Sequence, residues 1–375
     1  MATCTSTILY VQPVAERGGS DQALLRLVRS LPPEVAAHVA VPDDPPLRSD
    51  LEAAGATVHV VPMRRITTSG GAAWWARYAL GWPVAVLRLW RLGRQVGADV
   101  VHTNSLHSWY GWAVALLLRR PHVWHAREVV TQSRGALRLE RLLTRRCATL
   151  VVAMSDVIAE QLTGARVEIV LDDADRAAFQ PTRAGAFRRR AGIADSAPLA
   201  VTASRLDTWK GVEVALDAWP GVRAGRPDAV LAVAGATVAG KEGFADELRR
   251  RAAALDGVVW LGERTDVADL VADADVLMAL STTAEPWGLS VVEALACGVP
   301  VVATDLGGHI EILERAAAGA GRLVAPRQPS DTAAAVLDLL PQLTSTEHRR
   351  QRPVLLAPLP DPAWPARYSQ LLQER

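Results

Sequence analysis

The chain has 375 residues, half of them apolar and 22% charged, which suits a globular protein of two domains. Basic and acidic residues nearly balance, 41 against 40, so no overall field argues for a nucleic-acid partner. The three cysteines, Cys4, Cys147 and Cys297, have neither disulfide-framework nor metal-ligand spacing and read as thiols of a reducing compartment.

From the start, "TILYVQPV" reads as a buried strand and "GGSDQALLRLVRSL" as a glycine turn entering an amphipathic helix. The opening residues lack a basic segment followed by a long apolar core, so a cytoplasmic location is expected. "AAHVAVP" and "TVHVVPM" are further strands, with "PLRSDLEAAG" between them as a helix ended by Gly55. Trp74 to Gln95 interleaves aromatics with arginines. One reading is an amphipathic helix burying Leu and Trp, interrupted at Pro83. The other is peripheral contact with anionic lipid, or with a lipid-linked acceptor, at the inner face of a membrane.

"ADVVHTNS" and "HVWHARE" are strands whose last residues turn polar, and "TLVVAMS" leads into the helix "DVIAEQL". The strand pattern stops in "EIVLDDADRAAFQPTRAG", which reads as a linker. A second series follows: "PLAVTASRL", "GVEVALDAWPGV", "AVLAVAGAT", "FADELRRRAAAL", "VVWLGE", "VADLVADA", "DVLMALS" and "GRLVAP". Strands this rich in Val, Leu and Ala are buried on both faces. The expectation is an α/β protein: domains 1-182 and 183-350, each a Rossmann-like doubly wound parallel sheet, facing a shared cleft, and a tail 351-375 packing back on the first. In such sheets ligands bind beyond the carboxyl ends of the strands.

The stretch "TTAEPWGLSVVEALACGVPVVAT", Thr282–Thr304, carries the chemistry. Ser290 to Cys297 reads as a two-turn helix stopped at Gly298. Its first N–H groups, near Gly288, Leu289 and Ser290, would suit a phosphate. Glu285 precedes the helix and Glu293 lies one turn into it. Carboxylates repel a phosphate but accept hydrogen bonds from neighbouring hydroxyls. A sugar nucleotide, with hydroxyls at both ends and diphosphate between, meets both requirements. Arg205 and Lys210 follow a strand and precede Gly211 and a helix, a second place for phosphate. Acidic "LDDADR" lies in the linker and is read as no metal site.

"AEPWGLSVVEALACGVPVVATDLGG" resembles the signature of the family 4 retaining glycosyltransferases (glycosyl transferases group 1) of the GT-B fold. "ASRLDTWKGVEVALDAW" is similar to the family's Arg-Leu…Lys-Gly segment, and "GGSDQALLRL" and "WHARE" match weaker features. In the interdomain segment Asp172-Asp173 stands where the family carries Asn-Gly.

The resemblance implies transfer of a sugar, a hexose above all, from a UDP- or GDP-linked donor to a sugar, lipid-linked or natural-product hydroxyl. It implies retention at the anomeric carbon and needs no metal or cofactor. Arg205 and Lys210 would neutralise the diphosphate, Glu293 would take the ribose and Glu285 the transferred sugar. Gly288, Leu289 and Ser290 would line phosphate and sugar, Gly19 would close on the β-phosphate, and His125 would sit near the reacting carbon. A phosphorylase or epimerase on the same architecture, or a two-lobed protein that binds sugar without turnover, are the alternatives.

Overall fold

The computed structural model describes residues 6–13, 19–44, 47–66, 71–131, 134–342, 345–359, 367–368 and 370–371. The chain divides into two compact units, Met1–Leu171 with Pro360–Arg375, and Asp172–Leu359.

The first unit runs β1 (Ser6–Val11), α1 (Gly19–Arg29), β2 (Val35–Val41), α2 (Arg48–Ala53), β3 (Ala56–Val60) and α3 (Ala72–Val96). It continues with β4 (Val100–Thr103), α4 (Gly111–Leu118), β5 (His122–Ala126), α5 (Arg134–Cys147), β6 (Leu150–Ala153), α6 (Asp156–Gln161) and β7 (Val167–Ile169). Its seven strands are parallel in the order β3-β2-β1-β4-β5-β6-β7. The order reverses between β1 and β4, the topological switch point at which such sheets bind ligands.

Two expectations are corrected here. Pro83 lies inside α3, and the helix continues through it. A proline there costs about 3 kcal/mol. Tyr78 before it and Val86, Leu89 and Leu92 after it are buried in one apolar cluster. At about 1.5–3 kcal/mol for each large side chain, that burial outweighs the cost. Nor is "EIV" linker: Val167–Ile169 pairs in parallel with Val151–Ala153 as the edge strand. Three half-buried or exposed residues give too short a pattern to be legible as a strand. Tyr368 and Leu371 are buried in the first unit's core beside Tyr10 and Leu24.

The second unit runs α7 (Ala186–Ala191), β8 (Leu199–Ala203), α8 (Val212–Gly225), β9 (Val230–Ala234), α9 (Glu242–Ala253), β10 (Val258–Gly262) and α10 (Val267–Asp273). Then follow β11 (Val276–Ala279), α11 (Leu289–Ala296), β12 (Val301–Thr304), α12 (Gly308–Arg315), β13 (Gly321–Val324), α13 (Pro329–Leu339) and α14 (Thr346–Arg350). Six parallel strands take the order β10-β9-β8-β11-β12-β13, with the switch point between β8 and β11. Val201, Val233, Leu277 and Val302 are fully buried, as sheet strands covered on both faces require. Below the sheet, Arg188, Asp275 and Arg349 form a buried ion cluster, with Arg188 Nη2 2.8 Å and Arg349 Nε 3.0 Å from Asp275. This ties α14 to the second unit.

Candidate functional site

The loops leaving β8 and β11 meet at the second sheet's switch point. Thr282 N donates to Trp209 O at 2.7 Å, stitching one loop to the other. Gly211, at φ 70°, starts α8 where a Cβ would lie 1.8 Å from Leu280 O. Only glycine permits that approach. The residue before it, Lys210, is thereby set against the loop that carries Glu285.

Lys210 Nζ donates to both oxygens of Glu285, at 2.9 and 2.8 Å. Ser281 Oγ donates to Glu285 Oε2 at 2.7 Å, and the Lys210 ammonium sits 4.1 Å from the centre of the Trp209 ring. Glu285 is buried, and burial alone would raise its pKa. The charges of Lys210 and His309, with the hydrogen bonds from Lys210 and Ser281, outweigh burial and hold the carboxyl below its ordinary value. The glutamate is therefore a fixed anion with a fixed counter-charge.

Beyond Glu285 the chain is pinned on both sides. Gly308 N donates to Glu285 O at 2.8 Å, and the buried Trp287 donates Nε1–H to Asp172 O at 2.8 Å. Gly288 then turns at φ 106° into α11 and, among the described residues, no side chain caps that helix. An uncapped first turn presents backbone N–H groups, here those of Leu289 and Ser290, and the positive end of the helix dipole. Glu293 stands in the second turn, half-buried.

His309 packs behind the turn: a Cβ on Gly288 would lie 2.7 Å from His309 Cδ2. Its Nδ1 lies 3.3 Å from both Thr304 Oγ1 and Thr304 O, and burial lowers its pKa. Neither His309 nor Ser281 is singled out by the sequence. Arg205 is exposed on the loop after β8, and beside it Asp207 is ion-paired with Lys241.

Gly19 and His125 belong to the first unit. Gly19 is the exposed first residue of α1, with open space where its side chain would be. His125 lies buried in β5, its ring 5.5 Å from that of His102. Burial, and next the charge of Arg127, hold its pKa well below the usual histidine value, so the imidazole is neutral. At the first sheet's switch point a polar network joins the strand ends. Asn104 Nδ2 donates to Gln12 Oε1 at 2.7 Å, Gln12 Nε2 to Asp21 Oδ1 at 3.0 Å, and Arg127 Nε to Asn104 Oδ1 at 2.7 Å.

Among the described residues no group of three or more His, Cys, Asp or Glu is placed to hold a metal ion. In "LDDADR", Asp173 accepts from Arg176 Nε at 3.0 Å and from Leu359 N at 3.1 Å, a structural role.

Residues 197–342 match the family described as glycosyl transferases group 1, and residues 18–167 the glycosyl transferase 4-like domain. The chain is 28% identical over 250 residues to the lipopolysaccharide core biosynthesis mannosyltransferase LpsB of Rhizobium meliloti, covering 60% of this chain and 71% of that one. To the phosphatidyl-myo-inositol mannosyltransferase of Mycobacterium tuberculosis it is 36% identical over 146 residues, 38% of this chain and only 36% of that protein. Among solved structures, Anabaena Alr3699/HepE in complex with UDP-glucose superposes with a TM-score of 0.74 at 21% identity, covering 98% of this chain and 100% of that one.

Proposed function

The chain belongs to the group 1 glycosyltransferases and has the GT-B fold, and from that premise we propose that it moves a sugar from a nucleoside diphosphate to an acceptor hydroxyl, with retention and without a metal. The observation that carries the reading is the Lys210–Glu285 pair set beside the uncapped mouth of α11. In this site the donor diphosphate lies against Lys210, Arg205 and the first-turn N–H groups of α11. These groups stabilise the charge that grows on the leaving diphosphate. Because the pair is already assembled, little reorganisation accompanies that step.

Glu285, its oxygens already held, accepts from hydroxyls of the transferred sugar rather than attacking its anomeric carbon. Glu293 accepts from the ribose. The anomeric C–O bond to the diphosphate breaks as the bond to the acceptor oxygen forms on the same face. The acceptor's hydroxyl proton passes to the departing phosphate oxygen, so the configuration is kept. His125, uncharged, has no cationic role in this scheme.

The UDP-glucose complex of the Anabaena protein and the mannosyltransferase names of the relatives, one of them GDP-mannose-dependent, support UDP- and GDP-sugars as donors, and glycan or lipid-linked hydroxyls as acceptors. The test is incubation of the purified protein with a panel of UDP- and GDP-sugars in the presence of a chelator. Slow release of UDP or GDP from one donor is expected, and Glu293→Ala should weaken nucleotide binding about tenfold, the loss of one ribose hydrogen bond to a charged group. No release and no binding across the panel would contradict the assignment.

A further inference from the structure

The first unit holds a cavity of about 460 Å³ between the chain leaving β2, the chain leaving β3, and α3. That size is ordinary for a ligand site. Its walls mix Tyr78, Tyr110 and Val84 with Arg64 and Arg88, against Asp43, the single acid among the described lining residues. Tyr110 Oη accepts from Arg64 N and donates to Arg64 O, both at 3.0 Å, so the backbone of that arginine is fixed. Among the described residues neither Arg64 nor Arg88 has an ion-pair partner.

Val84 continues from the cavity onto the outer face of α3. Leu80, Val84 and Leu87 recur at helical spacing there and are 78%, 49% and 41% exposed. Arg77, Arg88 and Arg91 flank the stripe, and the helix contains no Asp or Glu. Its opposite face is already buried through Tyr78, Val86, Leu89 and Leu92. No helix among the described residues is long and apolar enough to cross a membrane. An apolar stripe edged only by arginines suits the plane of an anionic bilayer surface.

We propose that this face seats an anionic phospholipid, its phosphate between Arg64 and Arg88 and its acyl chains against Leu80, Val84 and Leu87. The inference rests on the reading of the chain as a glycosyltransferase and narrows its acceptor to a phosphate-bearing lipid held in a bilayer. The arginines supply donors in a fork that matches phosphate oxygens, and the stripe supplies the apolar contact.

The test is co-sedimentation of the full chain with phosphatidylcholine vesicles, with and without phosphatidylglycerol, and no nucleotide sugar present. Wild type should partition onto the phosphatidylglycerol vesicles and weaken with added salt. Arg64→Ser with Arg88→Ser should lower that partitioning roughly tenfold or more. Arg64→Lys with Arg88→Lys should keep most of it, with melting by circular dichroism confirming that each variant folds. Leu80→Ser with Leu87→Ser should lower it as well. Equal partitioning onto both vesicles, or an unchanged serine variant, would overturn the proposal. So would binding of free glycerol 3-phosphate with no retention on vesicles, which would make this a site for a soluble phosphate. Since the donor is absent, failure here leaves the nucleotide-sugar reading standing, and failure of donor binding leaves this result readable.

Discussion

Two buried glutamates, Glu285 in the second unit and Glu140 in the first, stand in opposite surroundings. Glu285 of the second unit has a lysine on both oxygens and a serine on one. Glu140 of the first unit, in α5, has the Trp109 indole N–H at 3.2 Å on one oxygen, and no hydrogen bond reaches the other among the described residues. Burial pushes Glu140 up to about 8, the indole hydrogen bond opposing and the charge of Glu128 adding to it. Glu285 stays a carboxylate below its ordinary range although it too is buried.

The contrast shows what burial does to an acid with and without a counter-charge. A buried carboxylate that stays ionised needs its charge balanced within the fold, and here Lys210 supplies the counter-charge. Lys210 thus serves two anions, Glu285 within the protein and the donor's phosphate in the proposed complex. In the first unit burial instead holds His102 and His125 neutral and pushes Glu140 toward its protonated form.

The largest break of this contrast is Lys210→Met. It leaves Glu285 buried without its cation, so Glu285 should then titrate upward as Glu140 does. Removing one partner of a buried pair costs about 3–5 kcal/mol, the lower end applying to this partly accessible lysine. Donor hydrolysis should fall about 100-fold or more with the loss of charge at the leaving group. Denaturant unfolding and nucleotide release read the two effects, and an unchanged unfolding midpoint would refute the coupling of the pair.

A smaller effect is expected of Gly288→Ala. The positive φ costs a side chain roughly 1–2 kcal/mol, and the new Cβ would lie 2.7 Å from His309 Cδ2. The mouth of α11 should shift, and UDP or GDP affinity measured by calorimetry should drop about tenfold. Adding His309→Ala should recover part of the loss by relieving the contact. Wild-type affinity in the single variant would show that the helix mouth does not hold the phosphates.

A further set of effects sharpens the contrast through pH. Glu140, whose folded pKa is raised from 4.5 to about 8, keeps a proton that the unfolded chain has released. Stability from this group therefore falls as pH rises across that window. Glu285, whose folded pKa is depressed, contributes stability that is present above the ordinary carboxylate value and lost as pH falls through its folded pKa. Melting temperature against pH should rise less steeply at the acid end for Glu285→Gln and decline less toward pH 8 for Glu140→Gln. Parallel wild-type and variant curves would dismiss both assignments.

What the sequence makes legible follows from distance along the chain. The helix after Gly288 and the strand after Pro300 are spelled out by neighbouring residues, and both form, as Leu289–Ala296 and Val301–Thr304. Lys210 and Glu285 are each visible as strand-end polar residues. Their partnership spans 75 positions and depends on β8 lying beside β11, which no local pattern states. His309 follows two glycines with no spacing to mark it, and its place behind Gly288 exists only in the folded second unit. Tyr368 is the extreme case. Its hydroxyl lies 3.0 Å from that of Tyr10 and 2.8 Å from His102 Nδ1, partners that no pattern in the tail states although its return to the first domain is expected. Pro83 misleads for the opposite reason: its local penalty is plain in the sequence, while the burial that overrides it is tertiary.

The most direct test is hydrogen exchange on the full chain with and without the sugar nucleotide that it hydrolyses. The account predicts slowed exchange in Arg205–Gly211 and in Glu285–Ala296 together, since one diphosphate engages both loops. Slowing confined to other segments, with these two unchanged at saturating donor, would contradict it.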